Sequence, residues 1–464
     1  MSISRRSFLR GTTLAAMAGR ASATTPIGPT DRARPNVIVV VADDMGWNDV
    51  GYHGSEVISP NLDRLARESV ELNEFHVYPT CSPTRAALLT GRPPTRFGIR
   101  GPLQYRGDRG LPKGTPTLAS HFRDAGYETA ISGKWHLGMR REWGPNHYGF
   151  RHSYGYTGPW IDSYTHLTTD FEETRDEIRQ WHRNGEPVWE EGHVTDLLTG
   201  EAIRFITEKR GKSKPFFLYL PYSAPHTPCQ EEGKWLDLYK GSIQNVSRKY
   251  CAAAITHMDD SIGKLRETLH REGLEADTIT VFLSDNGGPR GGDNTRWLVP
   301  PRKYYMSYGA TDVLGDNLPL RGWKGQLYEG GIRVPALIHW PGHLRPRKLE
   351  TPMLVCDLWP TLAAAAGTDM SAHKAIEGRN LWAVITGQAQ PEDRTMYWAD
   401  SRSQAVRQGN WKLIHFGTSL DEGRFELYHL GDDPYETKDL SKDQPKILNT
   451  LRTELSRQMS LDVP

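Results

Sequence analysis

Three acidic side chains and one amide follow directly after two apolar segments of the chain. Asp43 and Asp44 follow the first segment, and Asp285 and Asn286 follow the second. Burial of several carboxylates together is unfavourable unless a cation neutralises them. Their oxygens form a hard set of ligands, which favours Ca²⁺ or Mg²⁺ over zinc. The alternative is that each pair caps a turn or a helix, although the same placement in both pairs favours a shared metal site.

Cys81 opens a second segment that could do chemistry, residues 81–92 with the sequence CSPTRAALLTGR. Pro83 in the first turn and Arg85 one turn along predict a helix whose N-terminus and cation face the same spot, which is a ready anion site. A thiolate could act as a nucleophile there. Sulfur is a poor ligand for a hard metal, so an unmodified Cys81 conflicts with the oxygen set.

Alternating strands and helices must position these residues. Apolar runs between turn residues predict buried strands at 36–41, 129–132, 215–220, 278–283 and 334–338. Amphipathic patterns predict helices at 60–69, 115–125, 195–209 and 248–270. This order predicts an α/β fold, in which helices sandwich a large, mostly parallel (mixed) sheet. Open sheets of this kind bind ligands at the carboxyl ends of their strands, where both acidic pairs fall.

The last part of the chain has a different pattern. Short polar and apolar alternations at 395–398, 404–407, 411–416 and 425–429 precede a charged helical pattern at 445–459. They predict a small antiparallel sheet closed by a helix. We therefore expect a catalytic α/β domain over 34–390 and a small C-terminal α+β subdomain over 394–464. The segment 287–319, rich in Gly, Pro and Arg, is interpreted as a long functional loop.

The N-terminus has the pattern of an export signal. Arg5 and Arg6 precede a short apolar run and the small residues 21–23. Residues 1–23 are therefore predicted to be a twin-arginine signal peptide that directs the chain through the twin-arginine translocase to a bacterial periplasm. The apolar run is far shorter than the roughly 20 residues of a spanning helix, so no stable membrane anchor is expected.

Composition narrows the possible partners. The 464 residues contain 57 Lys+Arg and 56 Asp+Glu, a net charge of +1, which argues against nucleic acid or an anionic membrane as the main partner. The 37% hydrophobic content is enough for a folded core. The four cysteines are too scattered for a disulfide scaffold or a zinc site, so Cys229, Cys251 and Cys356 are expected to be free or buried thiols.

Residues 81–85, followed by Leu89-Thr90-Gly91, resemble the formylglycine-dependent sulfatases, in which this cysteine is oxidised to an aldehyde. Further blocks are similar to that family in the same order, at 41–47, 133–138, 224–228, 284–288 and 320–325 with 328–335. The resemblance covers nearly the whole mature chain and extends to the alkaline-phosphatase-like superfamily. Within the family, the chain looks most like the branch of arylsulfatase B and the N-acetylgalactosamine sulfatases.

The resemblance implies a ligand set for one Ca²⁺ ion. It consists of Asp43, Asp44, Asp285, Asn286 and the modified Cys81 (3-oxoalanine). The hydrated aldehyde would offer one hydroxyl that binds the metal and attacks, and a second that releases the product. Because oxygen then replaces sulfur, the conflict at Cys81 disappears. A formylglycine-generating enzyme is the partner that this modification implies.

The resemblance also implies catalytic roles for five residues. Arg85 and Lys134 would hold the aldehyde hydrate, and His136 would accept the proton when the sulfated intermediate breaks down. His226 and Lys324 would grip the sulfate and help the leaving oxygen depart. Independently of the family, a cluster of cations stabilises the negative charge that develops on a sulfuryl group in flight, and histidines exchange protons near neutral pH.

The substrate is expected to be a sulfated sugar, such as N-acetylgalactosamine sulfate, because that branch acts on sulfated sugars. Candidate substrate-binding residues on loops near the site are Trp160, Tyr164, His166, Arg296 and Trp297. Their rings could stack on sugar faces and their cations could meet further sulfates, although such aromatics also simply pack loops.

Two other functions suit the same pattern. One is a phosphate or phosphonate monoester hydrolase on the same fold. The sequence offers ligands for one metal ion, which favours the sulfate ester over the more highly charged phosphate ester. The other is a non-catalytic relative that binds sulfated glycans. Retention of Cys81 together with all the cationic residues argues against it, because binding alone needs no oxidisable cysteine. The sequence thus predicts an exported, calcium-dependent sulfatase.

Overall fold

A ten-stranded mixed sheet runs through the centre of the protein. The computed structural model describes residues 34–104, 109–169, 177–209, 214–290, 309–310 and 314–463. In spatial order the strands are β15 (Arg347–Leu349), β2 (Val70–Leu72), β14 (Ala336–His339), β12 (Thr278–Ser284), β1 (Asn36–Asp43), β10 (Phe216–Pro225), β4 (Glu128–Lys134), β5 (His152–Tyr156), β8 (His182–Arg183) and β9 (Glu186–Pro187). The predicted signal peptide lies outside the described residues.

The middle of the sheet is parallel and its edges are not. Strands β12, β1, β10, β4 and β5 run in the same direction, with Ala42 opposite Ser284 and Asp43 opposite Pro225. Strand β14 pairs antiparallel with β12. The apolar run that predicts this strand carries no information on its direction, since a buried strand is apolar either way.

Helices cover both faces of the sheet. They are α1 (Pro60–Glu68), α2 (Cys81–Thr90), α3 (Leu118–Asp124), α4 (Val194–Lys209), α5 (Gly233–Leu236), α6 (Val246–Arg271), α7 (Glu329–Ile332), α8 (Leu358–Ala365), α9 (Trp382–Ile385) and α10 (Pro445–Met459). Strand β1 shows how the layers form, because alternate residues point to opposite faces. Val37 and Val39 join the core under α2, α3 and α8, while Ile38 and Val40 join the core under α1, α4 and α6. This sandwich confirms the predicted α/β fold.

Three two-stranded ladders join loops around the main sheet. They pair β3 (Phe75–His76) with β16 (Met353–Leu354), β6 (Leu167–Thr169) with β7 (Glu177–Arg179), and β11 (Cys229–Gln230) with β13 (Gly309–Ala310). Ladder β11–β13 ties the segment after β10 to part of the long loop that the sequence predicts.

The C-terminal residues form the antiparallel sheet that the sequence predicts. Its strands are β17 (Thr395–Ala399), β18 (Ser403–Gln408), β19 (Trp411–Phe416) and β20 (Arg424–His429). One face packs on α10 through residues such as Val406 and Leu455. The other face joins the main core, where Trp398 Nε1 donates to Val77 O at 2.9 Å. The boundary between the two domains stays a prediction.

Along the described part of the chain, no helix combines the length and the apolar character that crossing a membrane requires. All four cysteines are buried thiols.

Candidate active site

Four neighbouring parallel strands end at the candidate site. In the order β12, β1, β10 and β4, they lead into Asp285, Asp43, His226 and Lys134. The carboxyl ends of parallel strands meet at one edge of the sheet, so residues that are far apart in the chain come together there. Helix α2, with Cys81 as its first residue, begins at the same edge, because its Arg85 donates to Asp285 Oδ2 at 2.7 Å.

The carboxylates of Asp43, Asp44 and Asp285 form one buried group. The Asp44 amide donates to Asp285 Oδ1 at 3.1 Å, and Asn286 Nδ2 donates to Asp44 Oδ1 at 2.8 Å. Asp43 Oδ1 and Asn286 Oδ1 are both buried without a hydrogen-bond partner. Buried oxygens are rarely left unpaired, so this pair of atoms fits a bound cation. The four residues that the sequence predicts as ligands therefore lie together.

Three cations face these three carboxylates. Arg85 donates from Nε (3.1 Å) and NH2 (2.7 Å) to Asp285 Oδ2. Lys134 Nζ donates to Asp43 Oδ2 at 2.5 Å, and Lys324 Nζ donates to Asp44 Oδ2 at 2.8 Å. Arg85 and Lys134 are fully buried. The group is thus close to electrically balanced, which makes its burial tolerable.

Burial and this charge pattern move the pKa values in opposite directions. Burial raises the pKa of Asp285 to about 7, and the neighbouring Asp43 adds to the rise. Burial also acts to raise the pKa of Asp44, but Lys324 and His226 overcome it and hold that pKa below its ordinary value. The Asp285 carboxylate is therefore the one that an additional cation would help most.

The Cys81 thiol lies among these charges. Burial raises the pKa of Cys81, while Lys134 and Lys324 act to lower it. The thiol is 2% exposed, so it is poorly ionised and a weak nucleophile as it stands. This agrees with the argument that sulfur is not the reactive atom at this position.

His136 has one ring nitrogen without a hydrogen-bond partner. Its Nε2 donates to Leu103 O at 3.0 Å, which leaves Nδ1 as the unprotonated nitrogen, buried and without a partner. Burial and Lys134 hold the pKa of His136 well below its ordinary value. Its φ of 52° lies in the left-handed region, as does the φ of 73° at Asp44. Such strain often marks functional positions.

His226 has the other protonation pattern. Its Nδ1 donates to Thr227 O at 2.7 Å, and its Nε2 lies 3.7 Å from Asp44 Oδ2. Burial lowers the pKa of His226 to about 3, although Asp44 opposes the change. Asp43, Asp44 and His226 present ligand atoms within 4.8 Å of one another. An anion bound beside Nε2 would raise this pKa and favour the protonated ring.

The C-terminal sheet braces the segment that carries Lys324. Arg321 NH1 donates to Tyr428 Oη at 2.8 Å and to Glu436 O at 2.7 Å. Glu436 Oε2 also accepts from the Glu329 amide at 2.7 Å. Arg321 thus holds this segment against the C-terminal sheet.

The candidate substrate-binding residues differ in position. Arg296 and Trp297 lie outside the described residues. Trp160 and Tyr164 are half-buried. His166 is only 4% exposed, with Nε2 paired to Gly192 O at 3.0 Å and its ring stacked on Trp181. A contact between His166 and substrate would need the loop to move, and the substrate role of all five residues stays a prediction.

Two residues of the site escape sequence reasoning. The Leu103 amide donates to Ser82 Oγ at 3.0 Å, while its carbonyl oxygen accepts from His136, so Leu103 links α2 to His136. A backbone contact of this kind leaves no mark in the sequence. Ser284 Oγ accepts from the Met45 amide at 3.1 Å and donates to Asn286 O at 2.9 Å. Its place just before Asp285 is the signal that could have identified it.

A second buried cluster lies on helix α6 and the segment after β10. His257 Nδ1 lies 2.9 Å from Glu231 Oε2, its Nε2 lies 3.3 Å from Asp196 Oδ1, and its ring stacks on Trp235. Burial acts to lower the pKa of His257, but Asp196 and Glu231 raise it to about 9. His257 is therefore a buried cation between two carboxylates.

His193 completes this cluster, and both nitrogens of its ring are hydrogen-bonded. The Thr195 amide donates to His193 Nδ1 at 3.2 Å, so Nε2 carries the proton and donates to Gln230 O at 2.9 Å. Although His193, Glu231 and His257 could hold a metal by distance, this tautomer points the proton of His193 towards the centre. The cluster is interpreted as structural.

The raised pKa of His257 predicts a pH-dependent stability. Its folded-state pKa of about 9 exceeds the ordinary value of 6.5, so its contribution is complete below pH 6.5 and is lost as the pH rises through 9. We expect the free energy of unfolding to fall by about 3 kcal/mol more in the wild type than in His257→Gln over this range. Urea denaturation at several pH values measures the difference.

His121→Gln is the matched control for this experiment. Burial lowers the pKa of His121 to about 4, so it does not titrate between pH 6.5 and 9 in the folded protein. The control should follow the wild-type profile. Parallel profiles for the wild type and His257→Gln would contradict the assignment of a buried cation.

The chain belongs to the sulfatase family. Residues 35–368 match the family model described as Sulfatase, and residues 322–461 match the model described as N-sulphoglucosamine sulphohydrolase, C-terminal. The fold and the family together define a sulfatase, an arylsulfatase-like hydrolase of sulfate esters.

Relatives with known names support this class. Human N-acetylgalactosamine-6-sulfatase is 32% identical over 83% of this chain and 72% of its own length. Mouse arylsulfatase J is 28% identical over 94% of this chain and 78% of its own. The crystal structure of Ps i-CgsB in complex with k-i-k-neocarrahexaose is 32% identical, with a TM-score of 0.80 over 93% of this chain and 94% of that one. The chain is similar to each of them.

Proposed function

We propose that this sulfatase hydrolyses a sulfate ester of a sulfated sugar, such as N-acetylgalactosamine sulfate, with a calcium ion and a formylglycine made from Cys81. The observation that carries the proposal is the pair of buried, unpaired oxygens, Asp43 Oδ1 and Asn286 Oδ1, next to a thiol with a raised pKa. The names of the relatives, which include an N-acetylgalactosamine-6-sulfatase, support the sugar class.

The residues of the site fit both the calcium ion and the formylglycine. Asp43, Asp44, Asp285 and Asn286 would hold the cation through oxygen atoms, together with the oxidised Cys81. When bound, the cation supplies a Lewis acid, and the oxidised side chain supplies an oxygen nucleophile. The remaining chemistry belongs to the side chains around them.

Charge drives the chemistry of these side chains. Lys134 and Lys324 already neutralise Asp43 and Asp44, so with a divalent cation bound the site would be positive and would attract the anionic ester. That anion raises the pKa of His226, whose protonated ring can then donate to the leaving oxygen. His136 is neutral, and its Nδ1 has no hydrogen-bond partner. It can therefore accept a proton in the later step, which releases the product.

Ion chromatography tests this proposal. The enzyme is co-expressed with a formylglycine-generating enzyme and given defined sulfated sugars and phosphate esters. We expect sulfate release from a sulfated sugar, and none from the matched Cys81→Ala variant. Phosphate release without sulfate would identify a phosphate or phosphonate monoester hydrolase. Release of neither sulfate nor phosphate from any substrate, with oxidation of Cys81 verified by mass spectrometry, would favour a glycan-binding protein.

Calcium should stabilise the folded protein. A ligand at 100 times its Kd stabilises by about 2.7 kcal/mol, so the free energy of unfolding should fall by that order when EDTA replaces saturating CaCl₂. Asp43→Asn should reduce this difference, because it removes one charged ligand. Urea denaturation with and without CaCl₂ measures both effects.

Asp259→Asn is the control for the calcium experiment. Asp259 is another buried carboxylate, but it accepts from the Leu62 amide at 2.7 Å and caps helix α1. This variant should lose stability and keep the full response to calcium. An equal response to calcium in Asp43→Asn would rule out the ligand set.

We further propose export. The twin-arginine pattern within residues 1–23 supports transport of the folded enzyme to the periplasm, after oxidation of Cys81 in the cytoplasm. Cell fractionation of the wild type and an Arg5→Lys, Arg6→Lys variant tests this. Equal amounts of both proteins in the periplasm would contradict it.

A further inference from the structure

An open groove lies where residues 314–323 pass the segment 435–437 of the C-terminal region. Its volume is about 700 Å³, within the range of small-molecule sites. The residues that line it include Arg290, Asn317, Leu318, Trp323, Tyr435 and Thr437.

The lining combines apolar surface with charged groups of both signs, and its partly buried Asp316 carboxylate accepts from Asn48 Nδ2 and from the Leu318 amide. Leu318 and Tyr435 are 67% and 44% exposed, so the groove offers accessible apolar surface. The guanidinium of Arg290 lies 4.8 Å from the centre of the Trp323 ring. Aromatic rings pack against the apolar faces of sugars, and an arginine pairs with sulfate or carboxylate groups. These features suit an anionic sugar.

Hydrogen bonds tie the floor of the groove to the segments that carry the candidate active site. Asn317 exchanges two hydrogen bonds of 2.8 Å with the backbone of Gly288, which follows Asn286 by two residues. The Asn48 amide donates to Asp316 O at 2.8 Å, which fixes the same floor to the segment after Asp44. Trp323 directly precedes Lys324, whose Nζ contacts Asp44.

Arg321, also at the groove, serves a different purpose. Its guanidinium is held by Tyr428, Tyr328 and the Glu436 carbonyl. It therefore fixes the wall of the groove, although it is exposed to solvent like Arg290. A ligand would meet the positive charge of both, and Arg290 is the one whose side chain does not also hold the wall.

We infer that the groove is a second sugar subsite, which binds an anionic residue next to the sugar whose sulfate is removed. Tyr435 and Trp323 contact the ring of this neighbouring sugar, and Arg290 pairs with its sulfate or carboxylate. The inference rests on the proposed function and extends it: the preferred substrate is a chain of sulfated sugars rather than a single one.

Binding measurements test the subsite separately from catalysis. Isothermal titration calorimetry on the inactive Cys81→Ala protein compares N-acetylgalactosamine 6-sulfate with a chondroitin 6-sulfate tetrasaccharide and with k-i-k-neocarrahexaose. We expect at least one oligosaccharide to bind about tenfold more tightly than the monosaccharide, and Tyr435→Ala or Arg290→Gln to reduce that ratio about tenfold. Tyr435→Phe, which keeps the ring, should retain most of it.

Arg141→Gln is the matched control, because Arg141 is also exposed and pairs with Glu186. It should leave the ratio unchanged. A ratio near one for every oligosaccharide, or equal ratios in the wild type and both groove variants, would overturn the inference. In the active enzyme, both groove variants should lower the ratio of kcat/KM for the oligosaccharide to kcat/KM for the monosaccharide. The cause should be a higher KM for the oligosaccharide. Absence of sulfate release with an intact binding ratio would refute the proposed function and leave the subsite standing.

Discussion

Cys81→Ala should abolish sulfate release, with a fall in kcat of about 10⁴-fold or more, while the protein still folds. Loss of a nucleophile has effects of this size because the remaining groups can only bind and polarise the substrate. The change removes a single buried sulfur atom at the first residue of α2, so the cost in stability should be about 1 kcal/mol. Sulfate release by ion chromatography and urea denaturation measure the two effects.

Cys356→Ala is the matched control. Cys356 is a buried thiol just before α8, and its pKa is raised by burial and affected by Asp357 and Arg394 rather than by residues of the candidate site, so the same atom is removed elsewhere in the core. This variant should lose a similar amount of stability and keep its activity. Mass spectrometry of the peptide that contains residue 81 shows whether the wild type is oxidised. Sulfate release by Cys81→Ala above the buffer rate would disprove the nucleophile.

Arg85→Met should cost activity and stability together. Arg85 donates twice to Asp285 Oδ2 and from NH1 to Lys134 O at 3.1 Å, and all three residues are fully buried. Removal of one partner leaves a buried carboxylate uncompensated, which costs about 3–5 kcal/mol. Arg85→Lys keeps the charge but cannot make the three bonds of the guanidinium, so we expect it to be intermediate.

Comparison of Arg85→Met with Arg85→Lys separates the effect of the charge from that of the shape of the guanidinium. Arg123→Met is the control, because Arg123 is a partly exposed arginine that pairs with Asp124 at 2.8 Å, and such a pair contributes little. Urea denaturation gives the stability of each variant. If Arg85→Met were as stable as Arg123→Met at pH 7, the ion pair with Asp285 would not hold the site together.

Local patterns in the sequence determine many of the strands and helices of this protein. The apolar runs before Asp43 and Asp285 predict buried strands, and the four short alternations after residue 394 predict the C-terminal sheet. Both follow from periodicity over a few residues, which is a local property. The segment that begins at Cys81 likewise predicts a helix from its own residues, and α2 starts at that cysteine.

The tertiary structure alone decides how these parts meet. The direction of β14, the link from Leu103 to His136, and the support that the C-terminal sheet gives to Lys324 through Arg321 depend on contacts between distant segments. The same holds for protonation, since burial raises the pKa of Asp285, whereas Lys324 and His226 from other segments lower that of Asp44. Local patterns fix which chemical groups are available, whereas packing fixes their distances and their charge.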